Sequence, residues 1–177
     1  MKLNLRTKRL ASILLESSDD HAGEVHASLQ QIDNLIKKDV RFRSLLQSKR
    51  ISNNQKTEIL RKVLTSVCDT IAIDFLGIIA NEKSVQIIRQ VIKAYDTLYK
   101  EKAGIVSIKA HVAQKMEAAE IEALQRNLQK VIHKKADLKI EVDNNLLGGI
   151  KLRIENTFLD ASLKSKLNRL KGELLQS

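Results

Sequence analysis

The sequence contains no proline and no tryptophan, and it has a single cysteine, Cys68. Without proline, nothing in the 177 residues forces a helix interior to break, which favours a largely helical chain. One thiol excludes an intrachain disulfide and points to a reducing compartment. Aromatic residues make up only 3% of the chain, so a core must be built from Leu, Ile, Val and Ala, which the 43% hydrophobic content supplies. No apolar run approaches the ~20 residues of a membrane span. The start is basic and then apolar, but Ser12 interrupts the apolar part and Glu16 follows it, which reads as an amphipathic first helix rather than a secretory leader.

The formal net charge is +10, which raises the question of acidic partners or nucleic acid. The excess is spread: residues 1–104 carry +6 and residues 105–177 carry +4, with acids interleaved nearly everywhere. The densest basic run is Arg6, Lys8 and Arg9. This distribution reads as a solvated basic surface. A single-stranded RNA module needs aromatics on its strands, and of Phe42, Phe75, Tyr95, Tyr99 and Phe158 only Phe158 falls near a predicted strand.

Residue types that carry chemistry do not form a recognisable constellation. His21 and His26 are five apart, off the i,i+4 spacing of a shared helix face, and His111 and His133 stand alone. There is no HExxH or CxxC, so no metal site is expected. Cys68 has no partner base in the sequence and reads as a small core hydrophobe beside Leu64, Val67 and Ile71. Gly148-Gly149 is followed by a strand pattern rather than a helix and lacks the GK[ST] of a phosphate loop, so it reads as a turn or bulge where backbones approach. Asp143 and Asp160 sit at element ends, where Asp caps turns and helices. No catalytic residue and no cofactor site is assigned.

Hydrophobic periodicity predicts six helices before Gly104. The first spans about Arg6–Ser17, with Leu10, Ile13 and Leu14 on one face. The second spans His21–Lys38 and the third opens at Asp39. Ser52-Asn53-Asn54-Gln55 has the form of a capping box and opens a fourth helix burying Ile59, Leu60, Val63, Leu64 and Val67. Asp69 can cap the fifth, whose apolar residues Ile71, Ile73, Phe75, Leu76, Ile78 and Ile79 cover much of its circumference. Such a helix is either central or in contact with another protein. The sixth runs from about Ser84 to Ala103, and Gly104 stands where a left-handed cap belongs.

After Gly104 the period changes. Ile105–Val112 reads as a strand whose buried face is ambiguous, and a helix from about Gln114 to Lys134 places Met116, Ile121, Leu124, Leu128 and Val131 inward. Leu138, Ile140 and Val142 alternate, Asp143-Asn144-Asn145 supply a turn, and Ile150, Leu152 and Ile154 alternate again. After Asp160, Leu163, Leu167, Leu170 and Leu174 form a helical stripe, with Asp160 as cap and Ser162 beside it. The expected fold is mainly α with a small α+β part: a six-helix bundle over 1–104, then a β-α-β-β-α domain over 105–177.

The closing stretch resembles the C-terminal signature of the delta subunit of F-type ATP synthases, the oligomycin-sensitivity-conferring protein of mitochondria. That family shows V-D-x-x-L-x-G-G, an amphipathic strand, D-x-S and a leucine-spaced terminal helix. The matching positions are Val142, Asp143, Leu146, Gly148, Gly149, Asp160, Ser162, Leu167 and Leu170, with Ala161 where the family often has Gly. Phe75-Leu76, Asn81-Glu82-Lys83 and the run from Tyr95 to Val112 also resemble family features, with Lys83 where many members have Arg. The resemblance is stronger from Asp69 onward than in the first fifty residues.

The resemblance implies a non-catalytic stator subunit. Its helical domain would bind N-terminal helices of the alpha subunits of the catalytic head, and its C-terminal domain the b subunits of the peripheral stalk. It implies no cofactor, no direct nucleic-acid contact, and membrane association only through the complex. The expected place is the cytoplasmic face of a bacterial inner membrane, ahead of the mitochondrial matrix side. Leu10, Ile13, Leu14, Ile78 and Ile79 are candidates for the head-binding groove; the same residues suit a core equally well. The alternative of another class is a basic nucleic-acid-binding or ribosome-associated protein.

Overall fold

Local signals set the helix ends. In the computed structural model, which describes residues 5–82 and 84–175, the first part of the chain forms α1 (Leu5–Ser18), α2 (Ala22–Lys38), α3 (Val40–Gln47), α4 (Asn53–Leu64), α5 (Thr70–Glu82) and α6 (Val85–Lys102). Lys83 and the side chains of Asn81, Glu82 and Leu174 lie outside the described residues. A 3₁₀ turn at Asp19–His21 separates α1 from α2. The Asp39 carboxylate accepts from the N–H groups of Arg41 and Phe42 at the start of α3. Ser52 and Gln55 form the reciprocal capping box of α4, and Asp69 Oδ1 accepts from Ile71 N at 2.7 Å at the start of α5. Each cap supplies a partner to an N–H that the helix itself cannot satisfy.

The chain divides into two units, Met1–Tyr99 and Lys100–Ser177. The division falls inside α6. Lys100, in the last turn of α6, is held by an ion pair to Asp137 of the second unit at 2.7 Å. The core of the first unit is aliphatic, with Ile32, Ile36, Leu60, Leu64 and Ile73 almost fully buried. Tyr95 is its one completely buried aromatic; its hydroxyl donates to Ala22 O at 3.2 Å and lies 3.0 Å from Ser18 Oγ. Val63 and Val67 were expected inside but are 58% and 54% exposed. The α4 stripe that packs runs through Leu60 and Leu64, and the valines lie one residue outside that i,i+4 row.

The second unit is β1 (Ile105–Val112), α7 (Ala118–Ile132), β2 (Lys135–Val142), β3 (Gly149–Ile154), β4 (Thr157–Ser162) and α8 (Leu163–Leu175). The strands form one sheet in the order β2-β1-β3-β4, with β1 parallel to β2 and antiparallel to β3. The ambiguity of β1 resolves with Val106, Ile108, Ala110 and Val112 buried. Val106, Ile108 and Ala110 pack with Ala136, Leu152 and, from α7, Leu128 and Ile132.

The order is therefore β-α-β-β-β-α, one strand more than the sequence suggested. β4 is an edge strand whose residues are exposed from Thr157 to Ala161, so it has no hydrophobic alternation to read. The hairpin before it turns on Glu155-Asn156, with Glu155 at φ +51°, and lacks the Asn-Gly signal of such turns. One further expectation changes, that for Val131. Val131 of α7 is 77% exposed, and on α8 Leu163, Leu167 and Leu170 are 49%, 60% and 44% exposed. The apolar stripe of α8 does not close a core.

The glycine pair explains how β4 sits. A Cβ on Gly149, at φ +82°, would lie 2.5 Å from Ala161 O, and one on Gly148 would lie 2.6 Å from Leu163 Cδ1. Gly104 has φ +63° but open space around it. Gly149→Ala should therefore destabilise the second unit by about 2–4 kcal/mol, combining strain and collision. Gly104→Ala should cost about 1 kcal/mol from the backbone angle alone. Urea denaturation of both variants tests this contrast.

Charge pairing makes a pH-dependent contribution. Burial pushes the Asp33 carboxyl up, but Lys37 and Arg89 together outweigh it and hold the carboxyl below its ordinary range. Arg89 of α6 donates to Asp33 of α2 at 2.9 Å. Because the folded value is depressed, the stabilisation is present above the ordinary carboxylate range and is lost as pH falls through the depressed value. Asp33→Asn should lower stability at pH 7 by about 1 kcal/mol, allowing for half-exposed partners, and should flatten the acid limb of a stability–pH curve.

Candidate partner-binding surfaces

The groups that carry chemistry are occupied structurally. Cys68 is buried at 8% exposure, its Sγ is 3.9 Å from Ser28 O and 3.7 Å from Gln31 Oε1, and burial pushes its thiol pKa up. A raised thiol with these neighbours is a poor nucleophile. His26 Nε2 lies 2.8 Å from Asp96 Oδ1, and its ring stacks on Tyr99 at 4.4 Å, joining α2 to α6. His21, Glu24 and Asp69 bring three potential ligand atoms within 4.8 Å of one another. Two of the three are exposed, and Asp69 already caps α5. The hydrogen bond from His21 to Glu24 raises the His21 pKa.

The signature residues of the second unit are architectural. Asp143 Oδ1 accepts from Asn145 N at 3.0 Å, and Leu146 N donates to Asp143 O at 3.0 Å, so Asp143 builds the turn after β2. Leu163 N donates to Gly148 O at 3.0 Å, which ties the start of α8 to the glycine pair. Asp160 was expected to cap α8, but it lies within β4 and accepts from Ser162 N at 2.9 Å. The hydrogen bonds from Ser162 hold the Asp160 carboxyl below its ordinary range. The cap is Ser162, whose buried hydroxyl accepts from Ser165 N at 3.3 Å. It stands in the residue before the helix, where an Ncap belongs.

What remains is surface. Of the five candidate groove residues, Leu14 and Ile79 are 2% and 4% exposed and belong to the core of the first unit. Leu10 is half-buried against that core. Ile13 on α1 and Ile78 on α5 point outward, at 50% and 67% exposed. The all-round apolar character of α5 thus divides into a packed face, with Ala72, Ile73, Leu76 and Ile79, and one outward isoleucine. In the second unit Phe158 and Leu159 of β4, at 72% and 54% exposed, add to the exposed leucines of α8. Singly exposed apolar residues are ordinary, but runs of them mark contact surfaces. Sequence periodicity finds the α8 stripe; it misses the exposed pair on β4, because β4 itself gave no signal.

Each of the two units leaves apolar residues outside, the pattern of a protein that docks onto others. The comparisons agree and are more specific. The sequence model of the ATP synthase delta (OSCP) subunit family matches residues 7–174, and the chain belongs to that family. The "ATP synthase subunit delta" of Gemmatimonas aurantiaca is 30% identical over 162 residues, covering 92% of this chain and 87% of the relative. That of Chlorobium phaeobacteroides is 28% identical over 173 residues, covering 97% and 96%. One chain of the Toxoplasma gondii mitochondrial ATP synthase hexamer superposes with a TM-score of 0.71 over 97% of this chain and 98% of that one. At 21% identity that likeness concerns the fold. The alternative of a nucleic-acid-binding or ribosome-associated protein finds no support in these matches.

The division between core and surface can be measured directly. Leu14→Ala should cost about 2–5 kcal/mol in urea denaturation, as a buried truncation that leaves a cavity. Ile13→Ala, one residue away, should stay within about 0.5 kcal/mol of the parent.

Proposed function

We propose that this chain is the non-catalytic stator subunit of an F-type ATP synthase, joining the catalytic head to the peripheral stalk. The observation that carries the reading is the family match across residues 7–174, which spans both units. The physical task is to resist torque: if the head turned with the rotor, proton flow would be uncoupled from ATP synthesis. A subunit with that task needs two rigid bodies, each with its own attachment surface, and no catalytic machinery.

In this reading the helical unit takes the amphipathic N-terminal helices of the head's alpha subunits. Ile13 and Ile78 are the outward anchors, Leu10 stands at the margin, and Leu14 and Ile79 form the packed floor behind them. Apolar anchors of this kind suit helix-in-groove recognition. The C-terminal unit holds the b subunits of the stalk, with the exposed leucines of α8 available to them. Once both ends are engaged, each attachment raises the effective concentration of the other, so neither alone has to be very tight. The chain needs no cofactor and contacts no nucleic acid. No helix among the described residues is long and apolar enough to cross a membrane. Membrane association then comes through the complex, at the cytoplasmic face of a bacterial inner membrane, a placement favoured by the bacterial relatives.

Affinity purification from the native membrane fraction, with and without nuclease, tests the role. Head and stalk subunits should co-purify after nuclease treatment; recovery of nucleic acid or ribosomal proteins alone would reject it. Ile78→Asp should weaken binding of an alpha-subunit N-terminal peptide about 10-fold or more while the helical circular dichroism is unchanged. Equal binding by parent and variant would move the head surface elsewhere.

A further inference from the structure

The strand register places an unusual row of charges on the outer face of the sheet. Lys109 of β1 is paired with Lys139 of β2 on one side and with Arg153 of β3 on the other, and Arg153 is paired with Phe158 of β4. Residues directly opposite one another in a sheet project from the same face, so Lys139, Lys109, Arg153 and Phe158 form one line across all four strands. All four are exposed. The face opposite is the one that packs on α7 through Ile108, Ala110 and Leu152.

Three like charges side by side across a sheet oppose its stability. In the rows on either side of this one the charges are matched. In the next row Glu141 lies 3.8 Å from His111, and Asp160 lies 3.8 Å from Lys151. On the other side Asp137 pairs with Lys100. Within the row itself, Lys109 and Lys139 have no ion-pair partner among the described residues. Arg153 donates to Glu155 O at 3.1 Å and holds its guanidinium 5.1 Å from the centre of the Phe158 ring. The row is a concentrated positive strip ending in an exposed aromatic, bordered by rows that are already neutralised.

We infer that this strip is a docking surface for an acidic helical segment of the stalk partner, laid across the strands with its carboxylates over Lys139, Lys109 and Arg153 and an apolar side chain on Phe158. The inference rests on the stalk-binding reading above. Neighbouring strands are about 4.8 Å apart. Acids three or four residues apart on a helix advance about 4.5–6 Å along its axis, so one helix face can meet the three cations in succession. The single exposed ring on the strip, Phe158, argues against a nucleic-acid strand, which would need several for base stacking.

The test uses the full chain, its Lys109→Glu/Lys139→Glu and Lys109→Gln/Lys139→Gln variants, and the soluble portion of the stalk b subunits from the same synthase. Binding by the parent should weaken as salt rises. It should fall about 10-fold or more in the Glu variant and by less in the Gln variant. The single change Lys109→Glu should meanwhile raise the melting temperature by about 1–4 °C, because two repulsive cross-strand pairs become attractive. Loss of binding together with gain of stability separates a docking role from a merely structural one. Parent-like binding by both double variants overturns the inference and leaves the stalk reading standing. No binding by the parent defeats the stalk reading itself, and the inference with it. A preference of the strip for poly(U) RNA or for phosphatidylserine vesicles over the stalk fragment also overturns it.

Discussion

The second unit depends on one backbone approach. Ala161 O comes so close to Gly149 that a side chain there would meet it at 2.5 Å, and Gly148 O accepts from Leu163 N just beyond. This contact brings the end of β4 against the start of β3 and fixes where α8 departs. Ala161 has no positive φ, and Gly149 supplies the needed angle from the facing strand. The left-handed backbone is thus on one side of the contact only. With β4 held at the sheet edge, Phe158 comes opposite Arg153, and the leucines of α8 are carried away from the core that α7 covers.

The two units solve burial differently. The helical unit packs an aliphatic core from all its helices, and the few polar groups within it have partners: Tyr95 with Ser18 and Ala22, and the Lys56 ammonium with Leu46 O at 3.2 Å. The second unit has a smaller core, covered on one face by α7, with no residue of α7 itself fully buried. Its other face is polar and its last helix is half-exposed. A surface of that kind costs little while it is charged and solvated, but it contributes little to stability.

Local chemistry was legible where a residue acts within a few positions of itself. The caps at Asp39, Ser52 and Asp69 and the left-handed Gly104 follow from short-range hydrogen bonding and steric freedom, and the structure has each where the sequence suggested. Periodicity located the apolar faces of α7 and α8 but could not say what covers them: Val131 was placed inward and lies outside, and Leu163, Leu167 and Leu170 stand half-exposed. β4 was missed because an edge strand exposed on both sides has no alternation. The cation row was invisible for a different reason. Lys109, Lys139 and Arg153 are each unremarkable where they stand in the sequence, and only the register makes them neighbours.

The residues that lie outside against expectation invite one physical reading. Sequence patterns report what a chain would bury if it were alone, and an adaptor is not meant to be alone. Ile78 at 67% exposed, Phe158 at 72% and the unpaired Lys109 each break the rule that governs their surroundings. Of the three, only Phe158 has a local partner among the described residues, the guanidinium of Arg153. A subunit that resists torque must hold its partners through surfaces it cannot satisfy by itself, because a surface already satisfied has nothing to offer. Rigidity belongs to the packed positions, such as Leu14, Leu60 and Ile79; in the function proposed above, attachment falls to the exposed ones. Changes that relieve frustration at Lys109 or Ile78 should make the isolated chain more comfortable and the assembled machine weaker.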